Sequence, residues 1–222
     1  MSRSQLRTEP RGLLEVRLHI DAAYENELND WYDSEHVPEL LGIPGVLSAT
    51  RYTEVTDGRK MHRAFYELAN AEVISSKEFG RQLTQRTPWT RRMYSLYDNE
   101  HRIRNAYSLM DTKGRSSPFD GQRLYCFKTD VAPEMEGEFN KSYDEELFEA
   151  LAAVDGCVGA RRFVVFEGQQ KYMALYGLTD LEVVHSKPWL AAANTARRVA
   201  IRAHLQHASK CYCELLRPTV RK

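Results

Sequence analysis

The chain has 222 residues, 42% of them apolar and 28% charged, and its 31 basic residues balance 31 acidic ones. That neutrality removes the electrostatic term that dominates nucleic-acid binding, which argues against DNA or RNA as a partner. No run approaches the roughly 18 apolar residues of a membrane-spanning helix, and the polar start MSRSQLRTEPRG lacks the apolar segment of a secretory signal, so a cytoplasmic protein without membrane partners is expected.

Leu14, Val16, Leu18 and Ile20 alternate with Glu15, Arg17, His19 and Asp21, the period of a strand with one apolar and one polar face. Tyr24, Leu28, Trp31 and Tyr32 recur at helical spacing and predict a helix from about Tyr24 to His36. Pro38 lacks an N–H and disfavours helical geometry at Val37, so this helix is expected to kink or break just after His36. The backbone carbonyls at such an end would favour a protonated imidazole. IPG at 43–45 turns the chain into a strand from Val46 to Val55, and TDGRK at 56–60 makes a hairpin to a strand from His62 to Ala69. Residues Glu72 to Tyr94 read as helical with an interruption at Thr87-Pro88, and a fourth strand lies near Arg102 to Met110. DTKGRSSPFDG has no apolar period and supplies a linker over 112–121 between units 12–111 and 122–216. The second unit follows the same plan: strand Arg123–Val131, helix Glu134–Val154, strands Val158–Glu167 and Lys171–Leu178, a long helix from about Leu181 to Gln206, and a strand through Cys211 to Leu215. Ala191, Ala192, Ala193, Ala196 and Ala200 give that long helix a small-residue face suited to close packing on a sheet.

The plan repeats because the sequence repeats. GVLSATRY at 45–52 recurs as GCVGARRF at 156–163, an offset of 111 residues. Glu27, Asn29, Tyr32 and Asp33 fall on Glu138, Asn140, Tyr143 and Asp144. With drifting offsets, Phe65-Tyr66 pairs with Leu175-Tyr176, Pro88-Trp89 with Pro188-Trp189, and Tyr107 with Tyr212. Two copies of one βαββαβ unit are expected, each a ferredoxin-like antiparallel sheet with both helices on one face. Two such units with their bare faces together would close an α+β barrel around a small-molecule pocket. The copies differ at His36 and Pro38, which become Leu147 and Glu149. The first is therefore expected to be the functional half and the second a structural half or pocket wall.

Cys126, Cys157, Cys211 and Cys213 read as buried free thiols, since no second Cys or His pair stands at ligand spacing. No metal site and no bridge between Cys211 and Cys213 are expected. His101, His185, His204 and His207 sit among charged residues and read as surface groups.

The run LNDWYDSEHVPELLGIPGVLSATRY, Leu28 to Tyr52, resembles the EthD-like branch of the dimeric α+β barrel superfamily, whose first helix ends in a histidine followed two residues later by proline. The wider group includes polyketide cyclases, muconolactone isomerases, cofactor-free monooxygenases and haem-binding enzymes, so the fold alone does not fix a reaction. The resemblance implies that His36 is the functional histidine.

The residues themselves supply a parallel argument. Tyr32 lies one turn before His36 and Asp33 three residues before it, so either can orient the imidazole. Arg17 and His19, on the polar face of the first strand, are expected to share its cavity. A general acid–base with an orienting partner and a cation for a developing oxyanion is the minimal equipment for enolisation, cyclisation or decarboxylation. Trp31, Arg51, Tyr52 and Tyr66 are the candidate substrate contacts. Arg51 and its counterpart Arg162 fit a structural pair as well as a carboxylate anchor. The expected function is a cofactor-independent isomerase, lyase or cyclase acting on a small aromatic or cyclic oxygenated metabolite. The alternatives are a cofactor-free monooxygenase, a haem protein with His36 or His19 as axial ligand, and a non-catalytic binding protein. A homodimer is compatible with each.

Overall fold

Alternation along β1 (Gly12–Leu18) sorts its side chains onto two faces. Leu14 and Leu18 join an apolar cluster with the helices, whereas Leu13 and Glu15, both fully buried, point the other way into the lumen of a barrel. In the computed structural model, which describes residues 9–222, eight strands close that barrel in the order β1-β3-β2-β8-β5-β7-β6-β4. The other strands are β2 (Val46–Thr56), β3 (Arg59–Leu68), β4 (Ile103–Gly114), β5 (Arg123–Val131), β6 (Cys157–Glu167), β7 (Tyr172–Leu178) and β8 (Leu205–Arg221). All neighbours are antiparallel. Each half contributes the same local order, β4-β1-β3-β2 and β8-β5-β7-β6, which is the ferredoxin-like arrangement. Pairing of β2 with β8 and of β4 with β6 leaves no free edge in either sheet, so the expected α+β barrel closes within one chain. β8 runs past the predicted Leu215 to Arg221 because its last residues pair with Ser48 and Ala49 of β2.

The first helical segment does not stop at His36. It passes from α1 (Glu25–Trp31) through a π turn (Tyr32–His36) into α2 (Val37–Gly42). The Val37 N–H reaches the Tyr32 carbonyl, and the widened turn leaves Pro38 in the first turn of a fresh helix, where its missing N–H costs nothing. The second half repeats the device without any proline: α5 (Glu136–Ser142), a π turn (Tyr143–Leu147) and α6 (Phe148–Ala152). The π turn therefore belongs to the repeat and not to Pro38, and His36 lies inside a helix rather than at its end.

The second helical layers are also divided. α3 (Lys77–Thr84) and α4 (Pro88–Ser95) are capped by Ser76 and Thr87, and α7 (Lys187–Ala193) and α8 (Ala196–Arg202) by Ser186 and Thr195. The predicted continuous helix over Leu181–Gln206 breaks at Asn194-Thr195, where Thr195 accepts from the Arg198 N–H. These caps correct the internal alignment. Phe79 and Trp189 each donate their N–H to the capping serine three residues earlier, so Trp189 corresponds to Phe79, and the matched dipeptides Pro88-Trp89 and Pro188-Trp189 lie on non-equivalent helices. Tyr107 and Tyr212 are likewise not equivalent: Tyr107 is fully buried in the lumen, whereas Tyr212 is 38% exposed on the helix side, as a one-residue slip demands.

The chain between the units is more ordered than its composition implies. β4 extends to Gly114, and a 3-10 turn at Pro118–Asp120, closed by Ser117 and Asp120, inserts Phe119 into the end of the barrel. A Cβ on Gly159 would lie 2.0 Å from the Ser116 carbonyl oxygen and one on Gly177 2.0 Å from that of Pro118, so both strands need glycine where this segment crosses them. Among the described residues no helix is long and apolar enough to cross a membrane. Residues 1–8, which hold most of the polar start read above, lie outside the described residues.

Candidate functional site

The barrel wall separates the predicted site residues. His36, Tyr32, Trp31, Arg51 and Tyr66 lie between the first sheet and its helices, while Arg17 and Tyr52 face the lumen. Arg17 pairs with Glu54 there at 3.8 Å, and the Tyr52 hydroxyl donates to the Gly121 carbonyl at 3.4 Å. His19 follows the end of β1, with Nδ1 2.9 Å from the Lys60 carbonyl. Neither Arg17 nor His19 reaches the His36 cavity, so the expected constellation is not assembled.

Around His36 the packing is dense. The imidazole stacks on Trp31 at 4.2 Å and meets the edges of Tyr32 and Tyr94 at 5.3 and 6.5 Å. Trp31 is fully buried and donates to Thr90 Oγ1 at 3.1 Å, which makes it a core aromatic. Arg51 is 3% exposed, donates to Asn29 at 2.6 Å and Asp33 at 3.2 Å, and sits 4.1 Å over the Tyr32 ring. Arg162 makes the same set of contacts with Asn140, Asp144 and Tyr143. The two arginines thus tie helix to sheet in both halves, the structural side of the two readings.

Burial pushes the His36 pKa down to about 3, with Arg51 and Arg102 acting in the same direction, so the imidazole is neutral at ordinary pH. This reverses the expectation of a helix end favouring the charged form. Burial likewise raises Tyr32 to about 12. The space beside His36 is about 30 Å³, enough for a water, with the His36 Nδ1 and the Tyr66 hydroxyl both lacking a partner among the described residues. A porphyrin does not fit there, since cofactor-sized sites span roughly 300–1,000 Å³.

The larger helix-side cavity lies in the second half. It encloses about 400 Å³ between the outer face of β5, β7 and β8 and the helices, with Tyr125, Phe127, Tyr143, Tyr176, Trp189 and Tyr212 as aromatic walls and Leu147 where His36 would stand. Arg198, 7% exposed, donates to Ser142 at 2.8 Å and lies 4.8 Å over Tyr143. Arg202 and Lys210 also line the cavity, and the Tyr176 hydroxyl is buried without a partner among the described residues. Burial drives the Tyr176 and Tyr125 hydroxyls well above the usual phenol range, so both are neutral hydrogen-bonding groups. Its one histidine, His185, is exposed.

Counting from the helix caps explains why this cavity is open. Leu83 stands seven residues after Ser76 and Tyr94 seven after Thr87, and both fill the first cavity; the corresponding residues after Ser186 and Thr195 are Ala193 and Arg202. The small-residue face of α7 therefore leaves room instead of packing tightly. Sequence reasoning passed over this site because it followed the histidine.

Other expectations about ligating groups meet local geometry. Asp98, Glu100 and His101 are close enough to share an ion, and His101 Nδ1 already lies 2.7 Å from Asp98. Cys126, Cys211 and Cys213 are buried thiols, as read from sequence, whereas Cys157 is half-buried.

No protein-family model and no curated protein sequence matches the chain. Solved structures do. A candidate monooxygenase from Fusobacterium nucleatum is similar at a TM-score of 0.65 and 10% identity, over 96% of this chain and 95% of that one. An anthrone oxidase-like protein is similar at 0.60 and 12%, over 97% and 95%, and a candidate monooxygenase from Lactobacillus acidophilus at 0.57 and 8%, over 96% and 99%. The chain has the dimeric α+β barrel fold, as the Leu28–Tyr52 resemblance implied.

Proposed function

We propose that the protein is a cofactor-independent enzyme for a small, planar, oxygenated aromatic, held in the second-half cavity and oxidised there by dioxygen. The observation that carries this reading is the cavity of about 400 Å³ with six aromatic side chains in its walls, a buried hydroxyl at Tyr176 without a partner among the described residues and a buried cation at Arg198. It contains no buried histidine or carboxylate among its lining residues, so acid–base isomerisation has no obvious base in it. Oxygenation of an activated methylene needs less from the protein. The substrate's own enolate supplies the electrons: the carbon loses two hydrogens, gains one oxygen atom from O₂ as a carbonyl, and the second oxygen leaves as water. Arg198 and the Tyr176 hydroxyl would stabilise the enolate oxygen, and the aromatic walls would keep water from the reacting carbon. The names of the structural neighbours, candidate monooxygenases and an anthrone oxidase-like protein, favour the same chemistry.

The test is titration with a hydroxyanthrone and a hydroxynaphthalene, following the heat of binding by isothermal titration calorimetry, together with O₂ uptake and quinone formation. Saturable binding with oxygen consumption is expected, and both should fall at least tenfold in Trp189→Ala. Binding undiminished in that variant refutes the site, and binding without turnover leaves a carrier in place of an enzyme.

A second reading keeps isomerase, lyase or cyclase chemistry at His36 as general acid–base. It is favoured by the unpaired His36 Nδ1 and Tyr66 hydroxyl facing one small space. It requires Tyr94 and Leu83 to move aside, and it predicts that turnover disappears in His36→Leu.

A further inference from the structure

A second opening leads into the barrel lumen itself. At one end of the lumen a cavity of about 600 Å³ is lined by Arg17, Arg63, Lys128, His207 and Cys211 among others. Cys211 on β8 stands directly opposite Cys126 on β5, and both side chains belong to the lumen cluster. Opposed Cβ atoms in an antiparallel pair lie roughly 4.5–5.5 Å apart. A disulfide needs roughly 3.5–4.5 Å, so a small approach of the strands closes the gap. Arg63, 2% exposed, donates from Nη2 to the Cys211 sulfur at 2.9 Å, and its Nε has no partner among the described residues.

We propose that Cys211 is a reactive thiolate at the floor of this cavity and forms, with Cys126 as its resolving thiol, a two-electron redox site for small hydroperoxides. The Cys211 thiolate attacks one peroxide oxygen, and the O–O bond breaks. The alcoholate or hydroxide leaves and takes a proton from solvent, and Cys211 becomes a sulfenic acid. The Cys126 sulfur then attacks that sulfur, the S–O bond breaks, and the departing hydroxide takes the Cys126 proton as water. Two thiols and one hydroperoxide give one disulfide, one alcohol and one water.

The surroundings single out Cys211. A hydrogen bond from the Cys126 thiol, followed by the Arg63 and Lys128 charges, lowers its pKa against the opposing effects of burial and Glu54. Glu15 is held by Lys128 at 3.1 Å and also by Arg63, and Arg17 pairs with Glu54, so the nearby carboxylates are shared among three cations. Cys213, two residues on, is fully buried with its sulfur 3.8 Å from a Glu54 oxygen, and burial raises its pKa. Cys157 lies outside the lumen and is more exposed than Cys211, yet burial pushes its thiol up to about 11.

That contrast makes the test decisive. The intact reduced protein is treated with limiting iodoacetamide at pH 7, and the labelled cysteines are located by peptide mass spectrometry. Accessibility alone would place label on Cys157 first, whereas a stabilised thiolate places it on Cys211 at least about tenfold faster. Label at Cys157 first, at equal rates, or at neither cysteine overturns the assignment. Hydrogen peroxide should then remove two thiols and yield a linked Cys126–Cys211 peptide, while Cys126→Ser should stop at a sulfenic acid on Cys211 that dimedone traps. Absence of that linked peptide, or any other cysteine pairing, refutes the resolving role of Cys126.

Discussion

Replacing His36 with leucine, the residue that stands at 147 in the second repeat, tests whether the histidine is a buried neutral wall. The folded-state pKa is about 3 against an ordinary value of 6.5, because burial disfavours the charged ring. Between pH 3 and 6.5 the unfolded chain therefore binds a proton that the folded chain refuses, and stability falls as pH drops through that window. At pH 4.5 the loss relative to pH 7.5 amounts to about 2–3 kcal/mol, from 1.36 kcal/mol per unit. At pH 7.5 His36→Leu should change stability by less than about 1 kcal/mol, since the lost stacking on Trp31 is offset by removal of an unpaired buried nitrogen. At pH 4.5 the variant should be the more stable protein by about 2–3 kcal/mol. Urea unfolding of both proteins across pH 4.5–7.5 measures the difference directly, and His62, which is shared, cancels. A difference that does not change with pH would mean that the imidazole is solvated or partnered, and the burial argument would fail.

Ala193→Leu places in the second cavity the side chain that Leu83 supplies to the first. It should raise the unfolding free energy by about 0.5–2 kcal/mol, a melting shift of a few degrees, while abolishing hydroxyanthrone binding; stabilisation with binding intact would move the ligand elsewhere. Leu147→Ala, at a residue 4% exposed on the wall of that cavity, should cost about 2–5 kcal/mol in chemical denaturation, and a change below 0.5 kcal/mol would show a site that collapses freely. Glu15→Gln leaves Lys128 without its carboxylate in the lumen and should cost about 3–5 kcal/mol at pH 7. In the parent, Glu15 is held down to about 2 by Lys128 and then Arg63 against the larger opposing effect of burial, so its contribution is present above pH 4.5 and lost as pH falls toward 2; acid titration monitored by circular dichroism should show the variant flatter over that range.

Much of this architecture was legible because strands announce themselves by a period of two. Leu14, Val16 and Leu18 against Glu15 and Arg17 defined two faces, and the GVLSATRY repeat defined two sheets, from which barrel closure followed. The π turn was hidden, because Pro38 supplies a sufficient local reason to stop a helix and only the proline-free copy at Tyr143–Leu147 shows that the widening is general. The pairing of Pro88-Trp89 with Pro188-Trp189 misled because identical dipeptides occupied different helices, whereas the serine and threonine caps, less conspicuous in sequence, mark the true correspondence. The second-half cavity could not be read from any one residue. It is a volume left by Ala193 and Arg202 together, on two helices, against tyrosines from three strands and a π turn.

The contrast between the repeats therefore rests less on His36 against Leu147 than on what covers an otherwise matched sheet. Tyr66 and Tyr176 occupy equivalent outward positions with unpaired hydroxyls, and Arg51 and Arg162 lock equivalent helices to equivalent strands. Given the same floor and the same clamps, ligand space is decided by the roof. In the first repeat Leu83 and Tyr94 fill it, and the imidazole beneath them is held neutral in a space fit for a water. In the second the roof is cut back, and the space opens to the size of a small aromatic. A duplicated unit can lose a cavity on one side and keep it on the other without disturbing the barrel, because the strand pairing that closes the barrel involves neither roof. The first repeat's histidine then needs no catalytic role to explain its place: stacked on Trp31 and enclosed by Tyr32 and Tyr94, it fills the space that leucine fills in the other half.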